Sequence, residues 1–223
     1  MPKLIMHNQV SLDGAVSGFQ LDPGLYYSIL NSFNADMYLV GSATARQGVK
    51  MFSRNVPAEE PSDFELNPKG KNQKGPVWIF PDSTGRLEGL LHVYRRYEHC
   101  RDVIVLVTVE TPKSYISYLE ERNYKYYVCG EVKVDYKVAF KKISADFSWE
   151  TMITDNGGLL SAVLLENGMV DQISLVISPT LTGKKQPKLF RELKLGKRVI
   201  KLKPVKAEIL ESDDILLLFD VAK

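Results

Sequence analysis

Four short stretches place small residues beside hydroxyl, amide or acidic groups at the end of an apolar run. Asn156-Gly157-Gly158 follows Thr151–Thr154 and opens the apolar stretch Leu159–Glu166. Glycine at a helix start lets a ligand approach the backbone, and the unsatisfied N–H groups there, together with the helix dipole, favour a phosphate. A tight strand-to-helix turn demands the same small residues, so the spacing alone leaves both readings open. Gly41-Ser42-Ala43-Thr44-Ala45-Arg46 follows a second apolar run. Thr44 can donate to a phosphate and Arg46 can pair with one; a plain helix cap is the alternative. Pro81-Asp82-Ser83-Thr84-Gly85 ends a third run and reads equally as a turn. Ser11-Leu12-Asp13-Gly14, with Gly18 beyond it, can lie over a ligand as a lid or form a surface turn. Ligands of open α/β sheets bind beyond the carboxyl ends of the strands, so three glycine-bearing strand ends suggest one crevice for a dinucleotide. Neither the six-residue Rossmann fingerprint nor a GK[ST] phosphate loop is present.

The elements that must position these stretches follow from the apolar pattern. Leu4–Val10 reads as a strand whose apolar residues are broken by His7–Gln9, and Gly24–Phe33 as an amphipathic helix begun near Asp22 and Pro23. Met37–Val40 is a short buried strand, with a helix starting near Ser42–Thr44. Residues 53–76 hold six of the chain's prolines and glycines among charges and read as a surface loop or insertion, with Arg54 near its start. Val77–Phe80, the β-branched Val103–Val109, Tyr126–Cys129, Thr151–Thr154 and Ile173–Ile177 read as further strands. Helices are expected over 87–97, Lys113–Arg122, Tyr136–Ile143 with Asp135 as N-cap, and Leu159–Glu166 closed by Asn167-Gly168. Ile200–Leu210 and Ile215–Val221 flank Glu211-Ser212-Asp213-Asp214 as an antiparallel hairpin. The alternation predicts a single α/β domain over 1–223. Its sheet would be mixed and mostly parallel, with helices on both faces and a C-terminal antiparallel hairpin.

Composition narrows the chemistry. The 223 residues carry a net charge of +2 with Lys and Arg spread along the chain, which gives no footprint for nucleic acid. No apolar run approaches the length a membrane helix needs, and the first residues have no signal-peptide core. Cys100 and Cys129 form neither a CxxC pair nor a disulfide framework, which fits a reducing, cytoplasmic compartment. His7, His92 and His99 share no metal-ligand spacing, so no metal is expected. A nucleophile elbow and a zinc-deaminase signature are both missing.

In order and spacing the chain resembles the reductase (C-terminal) domain of the bifunctional riboflavin-biosynthesis deaminase/reductase. The residues that carry the resemblance are Ser11–Gly14, Ala35–Thr44, Pro81–Leu87, Asn156–Leu160, Asn167–Ile173 and Ser178–Gly183. It implies a three-layer dihydrofolate-reductase-like fold, NADPH as cofactor, and a homodimer. The implied reaction is hydride transfer to the ribosyl C1 of a phosphoribosylaminopyrimidine, giving a ribitylamino product. The cofactor contacts it implies are Gly41, Ser42, Thr44, Ala45 and Arg46, with Asp82 and Ser83 near the adenosine, and Asn156, Gly157, Gly158, Leu159 and Leu160. Asn8, Ser11, Asp13, Gly14, Arg54 and Pro179 would border the substrate. It singles out no one catalytic acid. The chain departs from the family at Asn156, where glutamate is usual, and at Arg46–Lys50, which contains no acid. Three other readings stay open: a pterin or folate reductase, a reductase of another carbonyl or imine on the same fold, and a nucleotide-binding module without catalysis.

Overall fold

The computed structural model describes residues 2–52, 55–65 and 75–222. They form two compact units. One combines residues 1–34 with 150–223, and the other spans 35–149.

The first unit is built around β1 (Lys3–Ser11), which is buried along almost its whole length. It pairs in parallel with β6 (Thr151–Thr154) on one side and β7 (Gln172–Ser178) on the other. β9 (Ile215–Val221) runs antiparallel to β7, and β8 (Leu202–Ile209) antiparallel to β9, giving the order β6-β1-β7-β9-β8. The expected C-terminal hairpin is therefore present, turned by Asp213 at a φ of 65°. An interior strand with neighbours on both sides should be apolar throughout, yet His7, Asn8 and Gln9 interrupt β1. Each is buried and bonded: His7 Nδ1 lies 2.9 Å from Ser174 Oγ, Asn8 Nδ2 donates to the Asn156 carbonyl at 3.2 Å, and Gln9 Nε2 donates to Ser178 Oγ at 3.0 Å. Alternation puts His7, Gln9, Ser174 and Ser178 on one face and Asn8 on the other. α1 (Pro23–Ser32) covers the first face, where Tyr26 stacks on His7 at 4.8 Å. α6 (Gly158–Glu166) covers the second, where Ser161 Oγ donates to the Asn156 carbonyl. α6 ends as its Asn167-Gly168 signal requires: Gly168 takes a φ of 64°, and the Gly168 and Met169 amides return to the Leu165 and Leu164 carbonyls.

The second unit is a parallel sheet of β2 (Met37–Leu39), β3 (Val77–Pro81), β4 (Asp102–Val107) and β5 (Lys125–Val128) in the order β5-β4-β3-β2. Its helices are α2 (Ser42–Phe52), α3 (Leu91–Arg95), α4 (Lys113–Glu121) and α5 (Tyr136–Asp146). α3 is shorter than the expected 87–97, because the turns through Gly85 and Gly89, both at positive φ, occupy its first residues. Tyr38, Trp78, Phe80, Tyr94 and Tyr97 form one aromatic cluster in this unit.

The expected surface loop over 53–76 is more ordered in its described part, 55–65. Pro61–Phe64 is a 3-10 turn closed by reciprocal bonds between Glu60 and Asp63. Asp63 is buried and receives two bonds from Arg96, at 2.7 and 2.6 Å, while Arg95 donates to the Asp63 carbonyl at 2.7 Å. Burial works against the ionised Asp63 carboxyl, but the Arg96 bonds outweigh it and hold the group below the usual carboxylate range. Glu59 accepts from Arg122 at 2.9 Å and from the Tyr118 hydroxyl at 2.7 Å, and the Arg122 guanidinium lies 4.2 Å over the Tyr118 ring. Charge composition alone reads as solvent-facing; here it is docking chemistry.

Candidate functional site

In the first unit the site is built at the turn between β6 and α6. Asn156 is buried, its side-chain Nδ2 donates to Thr154 Oγ1, and its carbonyl receives Asn8 and Ser161. Asn156 thus fixes the turn. Gly157 is the N-cap of α6, with an extended backbone (φ −66°, ψ 176°) and no side chain to cap the first N–H groups. The starts of α1 and α5 differ. Asp22 caps α1 by accepting from the Leu25 amide at 3.0 Å, and Asp135 caps α5 by accepting from the Lys137 and Val138 amides at 2.9 and 3.1 Å. A Cβ on Gly157 would meet nothing within 4 Å, and its φ is one any residue adopts, so the protein itself does not demand glycine there. Gly158 does need to be small: a Cβ would sit 3.0 Å from the Leu189 carbonyl. Leu159 is 74% exposed beside this open turn. An uncapped helix start with open space before a dispensable side chain fits a phosphate group of a nucleotide cofactor.

Beside it, the loop after β1 is joined to residues 179–189. Asp13 accepts from Ser11 Oγ at 2.6 Å, the Thr182 amide at 3.2 Å, the Gly183 amide at 2.9 Å and Lys188 Nζ at 2.6 Å. The Lys188 bond, with Ser11 next, holds the Asp13 carboxyl far below the usual carboxylate range. Gly14 has a φ of 79°, the left-handed conformation that lets this loop turn back. Ser11 is buried, and its hydroxyl receives the Ala15 amide at 2.9 Å. Pro179 is exposed at the start of the partner segment.

On the α1 face, buried polar atoms remain without a protein partner: His7 Nε2 and Gln9 Oε1, with Asn8 Oδ1 on the opposite face. Burial pulls His7 down to about 4, against an opposing backbone bond, so the ring is neutral at physiological pH. The Tyr26 hydroxyl sits 3.4 Å from the His7 carbonyl and hydrogen-bonds Asp155; burial, then that carboxylate, push it well above the usual phenol range.

In the second unit, α2 begins at Ser42 with the Ala45 amide bonded to the Gly41 carbonyl at 2.9 Å. Ala45 is buried and its carbonyl receives the Tyr94 hydroxyl at 2.5 Å, whereas Arg46 is exposed and Ser42 and Thr44 are half-buried. Asp82 is only 1% exposed and caps its own turn, accepting from the amides of Thr84, Arg86 and Leu87 at 3.4, 3.0 and 2.8 Å. Ser83 beside it is half-buried. Arg54 lies outside the described residues.

The first unit therefore gathers Asn8, Ser11, Asp13, Gly14, Asn156–Leu160 and Pro179, and the second holds Gly41–Arg46, Asp82 and Ser83. Sequence reading passed over His7, Gln9, Tyr26, Thr182 and Lys188. The only signal for the first two was a polar triplet inside an apolar strand, with Ser174 and Ser178 spaced to meet it. Among the described residues no group of three or more His, Cys, Asp or Glu is placed to hold a metal, and no helix is long and apolar enough to cross a membrane.

Solved structures share this architecture. A pyrimidine reductase-like protein from Corynebacterium diphtheriae superposes with a TM-score of 0.73 at 15% identity, covering 100% of this chain and 92% of that one. RibD from Acinetobacter baumannii superposes with a TM-score of 0.67 at 17% identity, and the chain spans 58% of its length. A dihydrofolate reductase from Enterococcus faecalis, complexed with NADP(H), reaches 0.51 at 9% identity over 99% of this chain and 97% of that one. The fold is thus the expected mixed, mostly parallel α/β fold of the dihydrofolate-reductase type. The RibD C-terminal domain profile matches residues 2–216, and the chain belongs to that family of oxidoreductases.

Proposed function

We propose that the protein is an NADPH-dependent reductase of the riboflavin pathway that converts the ribosyl group of a phosphoribosylaminopyrimidine to the ribityl group. The observation that carries this reading is Gly157, a glycine the protein does not itself require at the uncapped start of α6. NADPH supplies the hydride when bound. The chain's own work is to hold and orient. The amides of Gly158, Leu159 and Leu160 would face a phosphate oxygen, and Gly41, Ser42, Thr44 and Arg46 supply further donors and positive charge in the second unit. Asp82 contributes by shaping the turn that carries Ser83. Ser11 and Gly14 would border the reacting ends. The substrate and cofactor placement rest on family membership together with these local features.

A second reading, reduction of a pterin, carbonyl or imine on the same fold, is favoured by one feature: Arg46–Lys50 carries no carboxylate to meet a substrate ribose. Oxidation of NADPH followed at 340 nm, with the aminopyrimidine ribosyl phosphate generated by a deaminase, separates the two. Substrate-dependent turnover supports the riboflavin reading; NADPH binding without turnover moves the assignment to the second; no NADPH binding removes both.

The homodimer also belongs to this proposal. β8 is exposed along all eight residues, and Ala207, Ile209, Ile215, Leu217, Leu175 and Ile177 share one face of the β7-β9-β8 sheet, with Ile209 76% exposed. A twofold partner would cover such a row. Ile209→Lys should shift the sedimenting species from dimer to monomer. Cys100 and Cys129 are buried as thiols, which suits a cytoplasmic enzyme.

A further inference from the structure

The strand-like pairing of 11–16 with 180–189 is denser than a lid over a ligand requires. The Leu12 amide donates to the Thr180 carbonyl at 3.0 Å, the Val16 amide to the Pro187 carbonyl at 3.0 Å, and the Leu189 amide to the Gly14 carbonyl at 2.9 Å. Ala15 and Lys188 form an antiparallel bridge. Asp13 sits at the centre. One oxygen takes Ser11 Oγ, the Thr182 amide and Thr182 Oγ1 (2.6, 3.2 and 3.1 Å), and the other takes the Gly183 amide and Lys188 Nζ (2.9 and 2.6 Å). A carboxylate offers about four lone-pair directions, so this one is saturated by the protein. The same segment then reaches the helix. The Lys188 and Leu189 carbonyls lie 3.3 and 3.0 Å from where a Gly158 Cβ would be, so they press directly on the first residue of α6.

We infer that Asp13 is a positioning residue: it clasps the loop after β1 to 180–189, whose carbonyls in turn set the α6 N-terminal turn for a cofactor phosphate, and it touches no ligand itself. The inference rests on the proposed reading of that turn as the phosphate seat. Its chemistry requires a carboxylate. An amide at this site would aim an NH2 at donors, either Lys188 Nζ and the Gly183 amide or the Thr182 and Ser11 groups. The depressed pKa keeps the group ionised throughout the physiological range, and Lys188 neutralises its charge beside an anion site.

Two readouts on Asp13→Asn test this: amide hydrogen exchange of the ligand-free protein and NADPH titration. Exchange at 12–16, 180–189 and the first turn of α6 should accelerate by roughly tenfold or more while the strand cores keep their protection. NADPH affinity should weaken by about tenfold, in proportion to that loosening. Lys188→Met, which leaves the other donors in place, should move both readouts the same way but less, and Lys188→Arg should restore both. Weakened NADPH binding with unchanged exchange would mean that Asp13 meets the ligand, and faster exchange with unchanged affinity would mean that the clasp does not govern the helix start; either overturns the inference. A wild-type protein that fails to bind NADPH would instead overturn the proposed function, and with it the purpose of the clasp, while the exchange data would still report whether the clasp exists.

Discussion

The docked segment 55–65 of the second unit and the β6-to-α6 turn of the first treat their polar groups in opposite ways. In the second unit, acidic side chains are spent on the protein. Asp82 and Asp135 cap their own turns, and Asp63 and Glu59 receive arginines that fasten 55–65 against α3 and α4. In the first unit, α6 begins at a glycine with no cap, and His7, Asn8 and Gln9 each keep one buried polar atom without a protein partner. Buried polar groups cost stability unless bonded. A protein that caps α5 with its own aspartate could have capped α6 likewise. An open helix start and unpartnered buried polar atoms gathered on and beside one strand fit the proposed reading of this region as the one that faces a ligand.

Substitutions that exchange the two treatments test this contrast. The largest effect is expected from Gly157→Asp, which gives α6 the cap that α5 has. The new carboxylate would satisfy the free amides and repel a phosphate, weakening NADPH by on the order of a thousandfold, roughly 4 kcal/mol. Folding stability should rise by up to about 1 kcal/mol. A titration in which the variant binds NADPH as the parent does would erase the distinction. Next comes His7. Its folded pKa of about 4 lies below the ordinary 6.5, so the unfolded chain binds its proton more readily. The stability contributed by the neutral ring is complete above pH 6.5 and is lost as pH falls through the window from 6.5 to about 4, by up to roughly 3 kcal/mol. Denaturant midpoints for His7→Asn should show that slope flattened, whatever the change in absolute stability.

Smaller effects should appear in the second unit and leave the ligand alone. Arg122→Met removes the partner of Glu59 and the cation over Tyr118, and should cost about 1–2 kcal/mol by chemical denaturation. Asp135→Ala removes the α5 cap and should cost about 1 kcal/mol. NADPH affinity should hold in both; a loss in either would tie the second unit's ion pairs to binding and blur the contrast.

Much of this was legible in the residues. Thr151–Thr154 and Ile215–Val221 were read with the bounds the structure gives, because a buried strand between turn signals carries its own period. Asp135, Gly157 and Gly168 announced helix ends by local backbone chemistry that no distant residue alters. Other features were decided only by the fold. Residues 55–65 looked solvent-facing because proline and charge are locally ambiguous; the arginines that hold them come from 95, 96 and 122. Asp82 and Asp13 looked like ligand groups by type, yet whether a carboxylate is free depends on the donors around it. For Asp13 those donors are supplied from about 170 residues away. Sequence by itself determined most of the strand and helix segments, their glycine punctuation and the family. Tertiary structure decided which polar atoms are consumed and which are left over, because hydrogen-bond satisfaction is a property of neighbours in space, and composition and period describe neighbours along the chain alone.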